Sequence, residues 1–213
     1  MPRPRPVPDL RLIVLTDRRL AAPREIPAVV RACVEAGAPA VQLRDKDASS
    51  RELYEQATIL RAITREHGAL LFVNDRLDVA LAAEADGVHL GPDDLPVEAA
   101  RRVAPPPFLI GTSTDDPAIA ARAEAEGADY IGCGAVFGTT TKKEVKGERI
   151  GPEGVAAVAR AVSIPVIAIG GIGLGNVEAL TGTGASGIAV VSAVMAAHDP
   201  ADAVRRLLRA WRP

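Results

Sequence analysis

The feature that most constrains the fold of this chain is a repeated alternation between short apolar runs and segments with helical periodicity. Eight such runs occur along the 213 residues. They lack a polar face, which is typical of strands in a buried parallel sheet. The predicted strands are residues 12–15, 40–43, 70–73, 87–90, 108–110, 130–133, 166–169 and 187–191.

Helical segments fill the intervals between these strands. Several end in glycine just before the next strand, as at Gly37, Gly68 and Gly127, where a helix commonly terminates. The predicted helices are residues 27–36, 50–67, 76–84, 96–103, 117–126, 152–161, 175–180 and 201–211. Eight βα units without a linker-like break predict one α/β domain, a closed (β/α)8 TIM barrel, over residues 11–213. Residues 1–10 are predicted to be a flexible tail.

A doubly wound open sheet is the alternative architecture. It favours a glycine-rich fingerprint directly after the first strand. Here that strand is followed by Thr16-Asp17-Arg18, so the closed barrel is preferred.

The amino-acid composition limits the kinds of molecule that the protein is expected to bind. The net charge is −2 with mixed signs, which argues against a nucleic-acid footprint and against a polybasic membrane surface. No apolar run approaches the ~20 residues of a membrane span. Cys33 and Cys133 lie in apolar segments without metal-ligand spacing, and we expect buried thiols in a reducing, cytoplasmic compartment.

Lysine is scarce and confined to two loops. The chain has four lysines against twenty-one arginines, and Lys46 and Lys142 each come just after a strand-like segment. Cationic and hydroxyl side chains that converge at a strand end are typical phosphate ligands. The alternative is a pair of solvated charged loops.

Polar clusters recur after the predicted strands. In a TIM barrel these carboxyl ends surround the active site. The clusters contain Gln42, Arg44, Lys46, Asn74, Asp75, Asp94, Ser113, Thr139, Thr140, Thr141, Lys142, Gly170, Gly171 and Ser192.

Asp75 and Asp94 suggest a metal site beside the cations Arg44 and Lys46. Mg²⁺ takes one or two carboxylates together with phosphate oxygens and water. Each aspartate taken alone also fits a helix cap, since each lies just before a predicted helix. Considered together with the neighbouring cations, they favour a metal and a polyphosphate.

The glycine pair Gly170-Gly171 and the later Val191-Ser192 resemble the phosphate site formed by the last two loops of a barrel. Backbone N–H groups there can bind a monophosphate. The alternative is a tight turn that needs glycine. His89 lies within a strand, where a hydrogen-bonded core histidine is the commoner role. No Ser/His/Asp or Cys/His nucleophile arrangement is apparent.

Together, these motifs resemble the thiamine-phosphate synthase family over residues 12–209. They are Gln42-Leu43-Arg44-Asp45-Lys46, Val73-Asn74-Asp75-Arg76, Asp86-Gly87-Val88-His89-Leu90-Gly91, Asp129-Tyr130-Ile131-Gly132, Thr139-x-Thr141-Lys142, Ala168-Ile169-Gly170-Gly171-Ile172 and Ala189-Val190-Val191-Ser192-Ala193. The set is specific, whereas no single motif would suffice.

The resemblance implies a Mg²⁺-assisted transferase that joins hydroxymethylpyrimidine diphosphate to hydroxyethylthiazole phosphate and releases pyrophosphate. It implies a dissociative reaction, a homo-oligomer and the following site residues. The pyrimidine diphosphate is bound by Gln42, Leu43, Arg44, Asp45, Lys46, Asn74, Ser113 and Lys142, of which Arg44, Lys46, Ser113 and Lys142 are catalytic. The thiazole phosphate is bound by Thr139, Thr140, Thr141, Gly171, Val191 and Ser192, and Asp75 and Asp94 hold Mg²⁺.

The chain departs from the family pattern at Pro92, Ala135 and Gly138. The first departure affects the placement of Asp94, and the other two predict a more mobile loop after the sixth strand. The residues are also compatible with two other functions. One is a thiazole tautomerase on a related barrel, and the other is a non-catalytic barrel that binds phosphate ligands.

Overall fold

The fold is a closed barrel of eight parallel strands, described by a computed structural model for residues 8–138 and 149–212. Each strand pairs with the next in sequence, and β1 also pairs with β8. This closure confirms the TIM barrel and excludes the open sheet. The strands are β1 Leu12–Leu15, β2 Ala40–Leu43, β3 Leu70–Asn74, β4 Gly87–Leu90, β5 Leu109–Ser113, β6 Tyr130–Cys133, β7 Val166–Ile169 and β8 Gly187–Val190.

Helices surround the barrel and connect its strands. The longest, α3, begins with a capping box in which Ser49 and Glu52 bond each other's backbone N–H groups. The helices are α1 Arg18–Ala21, α2 Ile26–Glu35, α3 Ser50–Glu66, α4 Leu77–Ala82, α5 Val97–Val103, α6 Pro117–Ala125, α7 Gly151–Ala161, α8 Ser192–Met195 and α9 Pro200–Ala210, with a 3-10 helix at Val177–Leu180.

Most predicted boundaries agree with the structure, and the differences have local causes. β5 continues to Ser113, beyond the predicted end at residue 110, because polar side chains at the carboxyl end of a strand resemble a loop in sequence. The predicted helix at 175–180 is only a 3-10 helix. Helices α1 and α8 were not predicted, since four residues are too few to show a helical period.

The core has two parts, separated by the sheet. Side chains alternate between the faces of each strand. Ile13, Phe72, Tyr130 and Ile167 fill the interior of the barrel, whereas the other face of each strand packs against the helices. Leu10, at the predicted boundary of the tail, is buried in the interior cluster.

A glycine inside the barrel makes room for its largest side chain. A Cβ atom at Gly111 would lie 2.0 Å from Cζ of Tyr130, far closer than two carbon atoms can approach. The buried Tyr130 ring also packs edge-to-face on Phe72, with ring centroids 5.3 Å apart. The absence of a side chain at Gly111 therefore leaves the space that the Tyr130 ring occupies.

Two aspartates clamp the end of the barrel opposite the carboxyl ends of the strands. Asp86 Oδ2 accepts hydrogen bonds from the Leu71 backbone N–H and from Arg61, at 2.8 and 2.7 Å. Asp129 repeats the arrangement two strands later, where it accepts from the Ile110 backbone N–H and from Arg101. Each clamp joins the start of an even-numbered strand, the preceding strand and the helix that comes before both of them.

Asp129→Ala is expected to lower the free energy of unfolding by about 2 kcal/mol. The substitution leaves the Arg101 guanidinium and a backbone N–H without their shared acceptor, and both sides of this ion pair are mostly buried. Urea denaturation should show a lower midpoint at an unchanged slope. Glu98→Ala is the matched control, because the Glu98–Arg102 pair is exposed and should change stability by less than about 0.5 kcal/mol. Equal shifts in both variants would contradict the role of the clamp.

Both cysteines are buried free thiols, as predicted. Burial raises the pKa of Cys33 and of Cys133 to about 12. Since the thiolate is the reactive form, these thiols fill space and do not act as nucleophiles. In the described parts of the chain, no helix is long and apolar enough to cross a membrane.

Candidate active site

Two connected cavities open at the carboxyl ends of the strands. The outer one, here the mouth cavity, is lined by residues that include Arg44, Ser113, Gly171, Val191 and Ser192, and it measures about 720 Å³ with its open entrance. The deeper one, here the inner cavity, is lined by Gln42, Arg44, Asn74, His89, Ser113 and Tyr130 among others. Arg44 and Ser113 line both cavities, so a ligand that spans the two would contact them.

Arg44 is held at the end of β2 by a neighbouring strand. The buried Thr16 hydroxyl, just after β1, accepts a hydrogen bond from the Arg44 backbone N–H at 2.9 Å and donates to the Arg44 carbonyl at 3.2 Å. Sequence analysis gave Thr16 no role. Its hydroxyl fixes the backbone from which Arg44 projects, which reduces the freedom lost when Arg44 binds an anion.

Asp75 and Asp94 lie side by side, from the ends of β3 and β4. Burial raises the pKa of Asp75 to about 6, and hydrogen bonding and repulsion from Asp94 add to the increase, against the charges of Lys46 and Arg44. Two carboxylates held together repel each other unless a proton or a cation lies between them. The pair can therefore share a proton or bind a positive ion.

Neither aspartate caps a helix. α4 has Arg76 at its N-cap and α5 has Pro96, and neither cap makes a side-chain hydrogen bond. Asp94 Oδ2 instead accepts the Gly91 backbone N–H at 2.6 Å, which closes the turn after β4. Asp75 has φ +65°, a left-handed backbone conformation that residues other than glycine rarely adopt. The helix-cap alternative for these residues is thus wrong.

The loop after β7 needs its two glycines. Gly170 and Gly171 have φ +106° and +68°, and a Cβ atom at Gly171 would lie 2.6 Å from the Gly138 carbonyl oxygen. Asn176, which sequence analysis missed, fixes the loop: its amide donates to the Gly171 carbonyl, and its oxygen accepts the Gly173 N–H, both at 2.9 Å. Gly170 and Gly171, which have no side chains, border the mouth cavity.

A polar contact crosses the inner cavity. His89 Nε2 lies 2.8 Å from Ser113 Oγ, and His89 Nδ1 lies 3.0 Å from the Tyr130 hydroxyl. The Gln42 side chain in turn hydrogen-bonds Tyr130. The histidine is hydrogen-bonded as expected, but its partner Ser113 is itself a predicted site residue.

Some predicted site residues face elsewhere. The Leu43 side chain packs between the sheet and the helices, because its neighbour Gln42 faces the interior and strand residues alternate. Leu43 can therefore offer a ligand only its backbone. The Asp45 carboxylate is also buried: one oxygen accepts the Asp47 N–H, and the other lies 3.4 Å from Arg18 Nε without hydrogen-bond geometry. The predicted ligands Thr139, Thr140, Thr141 and Lys142 lie outside the described residues.

The fold and these cavities define a (β/α)8-barrel enzyme with cations and paired carboxylates at the carboxyl ends of its strands. The family model described as thiamine monophosphate synthase matches residues 12–194, and the chain belongs to this family. It is accordingly a transferase. A thiamine-phosphate synthase from Pyrococcus horikoshii is 52% identical over 200 residues, which cover 94% of each chain. One from Chloroflexus aurantiacus is 48% identical over 93% of this chain and 91% of its own.

Solved structures agree with the assignment. The chain superposes on thiamine phosphate pyrophosphorylase from Pyrococcus furiosus with a TM-score of 0.86 and 46% identity, covering 95% of this chain and 96% of the other. It also matches 3-hexulose-6-phosphate synthase with a TM-score of 0.72 at 18% identity, over 95% of this chain and all of the other. The second likeness shows a shared fold only.

Proposed function

We propose that this protein is a thiamine-phosphate synthase that joins hydroxymethylpyrimidine diphosphate to hydroxyethylthiazole phosphate and releases pyrophosphate. The observation that carries the proposal is the carboxylate pair Asp75 and Asp94 beside the charges of Arg44 and Lys46. This arrangement suits a metal-bound diphosphate. Relatives named for this activity align with almost the whole chain, which supports the same conclusion.

The two cavities suggest where each substrate binds. Gln42 and Asn74 line the inner cavity and would bind the pyrimidine half of the first substrate. Arg44, Lys46 and Ser113 would bind its diphosphate. The backbone at Gly171 and at 191–192 borders the mouth cavity and would bind the thiazole phosphate. Thr139, Thr140, Thr141 and Lys142 keep their predicted roles as ligands of the two substrates.

The carboxylate pair fits Mg²⁺. Within the described ranges, no group of three or more His, Cys, Asp or Glu side chains could hold a metal alone. Mg²⁺ needs only one or two protein carboxylates when phosphate oxygens and water complete its shell, and a cation between Asp75 and Asp94 would relieve the repulsion between them. When bound there, Mg²⁺ would neutralise charge that develops on the departing diphosphate.

The protein's own groups would do the rest of the chemistry. In a dissociative reaction, Arg44 and Lys46 stabilise the leaving diphosphate, and no protein nucleophile is required. Apolar side chains such as Leu15, Ile169 and Ala189 line both cavities. They would exclude water from the pyrimidine-methyl cation until the thiazole nitrogen captures it.

Mixing the purified protein with both substrates and Mg²⁺ tests the proposal. We expect one pyrophosphate released for each thiamine phosphate formed, measured by a coupled pyrophosphate assay and by chromatography of the product. Omission of the thiazole phosphate is the control, and it should abolish thiamine phosphate formation.

The alternatives give different results in the same experiment. A thiazole tautomerase would isomerise its thiazole substrate without releasing pyrophosphate. A non-catalytic phosphate-binding barrel would bind the ligands without turnover. Either result would overturn the proposed function. A homo-oligomeric state and a cytoplasmic location remain predictions.

A further inference from the structure

Behind Ser113, two polar side chains, His89 and Tyr130, lie inside the barrel and have no role in the reaction as described so far. With Ser113 and Gln42 they form a chain of contacts in the order Ser113, His89, Tyr130, Gln42. Two contacts of the imidazole are short, at 2.8 Å from Nε2 to Ser113 Oγ and 3.0 Å from Nδ1 to the Tyr130 hydroxyl. Hydrogen bonds of this length in a low-dielectric protein interior are oriented and polarise one another.

The direction in which the hydrogen bonds of this side-chain network are donated determines whether the Ser113 hydroxyl donates or accepts in the cavity. A neutral imidazole donates from one nitrogen and accepts at the other. Burial raises the pKa of Tyr130 far above its usual range, so its hydroxyl keeps a single proton to donate. The Gln42 hydrogen bond acts to lower the pKa of Tyr130, as a donor to the phenolic oxygen does. The phenolic proton then goes to His89 Nδ1, and Nε2–H donates to Ser113 Oγ.

We infer that His89 is a positioning residue which, with its proton on Nε2, makes the Ser113 hydroxyl a hydrogen-bond donor to the diphosphate of the substrate. The inference rests on the proposed function. With Oγ already accepting from the imidazole, the serine proton is free to point into the cavity. In the opposite direction, Ser113 would donate to His89 and turn its lone pairs towards an anion, which is repulsive.

The local backbone is built around this imidazole. A Cβ atom at Gly132 would lie 2.9 Å from His89 Cε1 and 3.6 Å from Ser113 Oγ. The imidazole also packs against the Tyr130 ring, with centroids 5.5 Å apart. Gly132 leaves space for the imidazole, and the Tyr130 ring packs against it, so the imidazole is held in contact with Ser113. A hydrogen-bond donor to an anion benefits from such preorganisation.

A double-mutant cycle tests whether His89 acts through Ser113. We expect His89→Asn to lower kcat/KM for pyrophosphate release by roughly tenfold, the scale of one hydrogen bond to a charged group. In the Ser113→Ala background, the same change should lower it less than about twofold, because the partner is already absent. Equal factors in the two backgrounds would overturn the inference.

His89→Gln is the conservative variant. Its longer side chain places an amide N–H close to the position of Nε2, so it should keep kcat/KM within about threefold of the wild type. A loss as large as that of His89→Asn would count against a donor role. Circular dichroism and thermal unfolding of each variant show whether the barrel stays intact.

Nitrogen-15 NMR of the free wild-type protein provides a readout that does not depend on turnover. The chain has three histidines, and single substitutions of the exposed His67 and His198 assign their signals. We expect His89 as the Nε2–H tautomer, and a mixture of tautomers in Tyr130→Phe, which removes the donor to Nδ1. An Nδ1–H tautomer in the wild type would overturn the inference.

The two experiments separate failure of this inference from failure of the proposed function. An active enzyme with an Nδ1–H tautomer would overturn only the role of His89. A protein that releases no pyrophosphate would overturn the proposed function, and with it any catalytic benefit of His89, whatever tautomer is observed.

Discussion

Asp75→Asn is expected to lower kcat/KM for pyrophosphate release by about 10²–10³-fold and to raise the Mg²⁺ concentration needed for half-maximal rate. A metal that stabilises developing charge contributes several kcal/mol, and the substitution removes the charge of one of its two proposed carboxylate ligands. The Asp75 backbone has φ +65°, which asparagine tolerates well. The change therefore tests the charge without disturbing the loop. Initial rates across a Mg²⁺ titration give both quantities.

Stability separates this loss from a structural defect. Since Asp75 is repelled by Asp94, removing its charge should leave the metal-free protein at least as stable as the wild type. Asp93→Asn is the matched control, because Asp93 is the exposed neighbour of Asp94, and it should keep normal activity and normal Mg²⁺ dependence. Full activity of Asp75→Asn at low Mg²⁺ would remove this residue from the proposed metal site.

Lys46→Ala is expected to cost about 2–4 kcal/mol of transition-state stabilisation, the loss typical of one preorganised donor. The charge of Lys46 lies close enough to the carboxylate pair to lower the pKa of Asp75, which places it beside the proposed diphosphate. Because charge on the leaving group grows in the transition state, kcat should fall as well as kcat/KM. Steady-state kinetics at saturating Mg²⁺ measures both.

Arg65→Ala is the control for the loss of one positive charge. Arg65 lies in the last turn of α3, at the end of the barrel away from the cavities, in an exposed pair with Glu84. Its removal should leave kcat and KM unchanged. If Lys46→Ala kept a normal kcat and raised only KM, Lys46 would contribute uniform binding and no stabilisation of the leaving group.

Sequence periodicity was sufficient to predict the barrel and the end of it that carries the site. Parallel strands bring their carboxyl ends together, so the sequence alone predicts that residues at the ends of different strands, such as Arg44, Asn74 and Ser113, lie close together. The structure places all three at the inner cavity. Side chains alternate along β2, so the sequence also indicated that Leu43 faces away from Gln42. Treating residues 42–46 as one continuous binding motif overlooked this alternation.

Contacts between distant residues could not be predicted in this way. The bond between Thr16 and the Arg44 backbone depends on the register of β1 against β2, which no local pattern specifies. The same holds for Tyr130: its position in a strand predicts burial, but its bond to His89 depends on the space that Gly111 leaves for its ring. Sequence patterns therefore identified residues that line the cavities and missed those that orient them.

The two aspartate clamps also bear on how the barrel assembles. Asp86 and Asp129 each bond an arginine only 25 and 28 residues earlier in the chain, whereas the pairing of β1 with β8 joins nearly the two ends of the domain. Closing the short loops costs roughly 1.7 kcal/mol less chain entropy than closing the long one. Neighbouring βα units can therefore form at low entropic cost, and joining the first strand to the last is the most demanding step in completing the sheet.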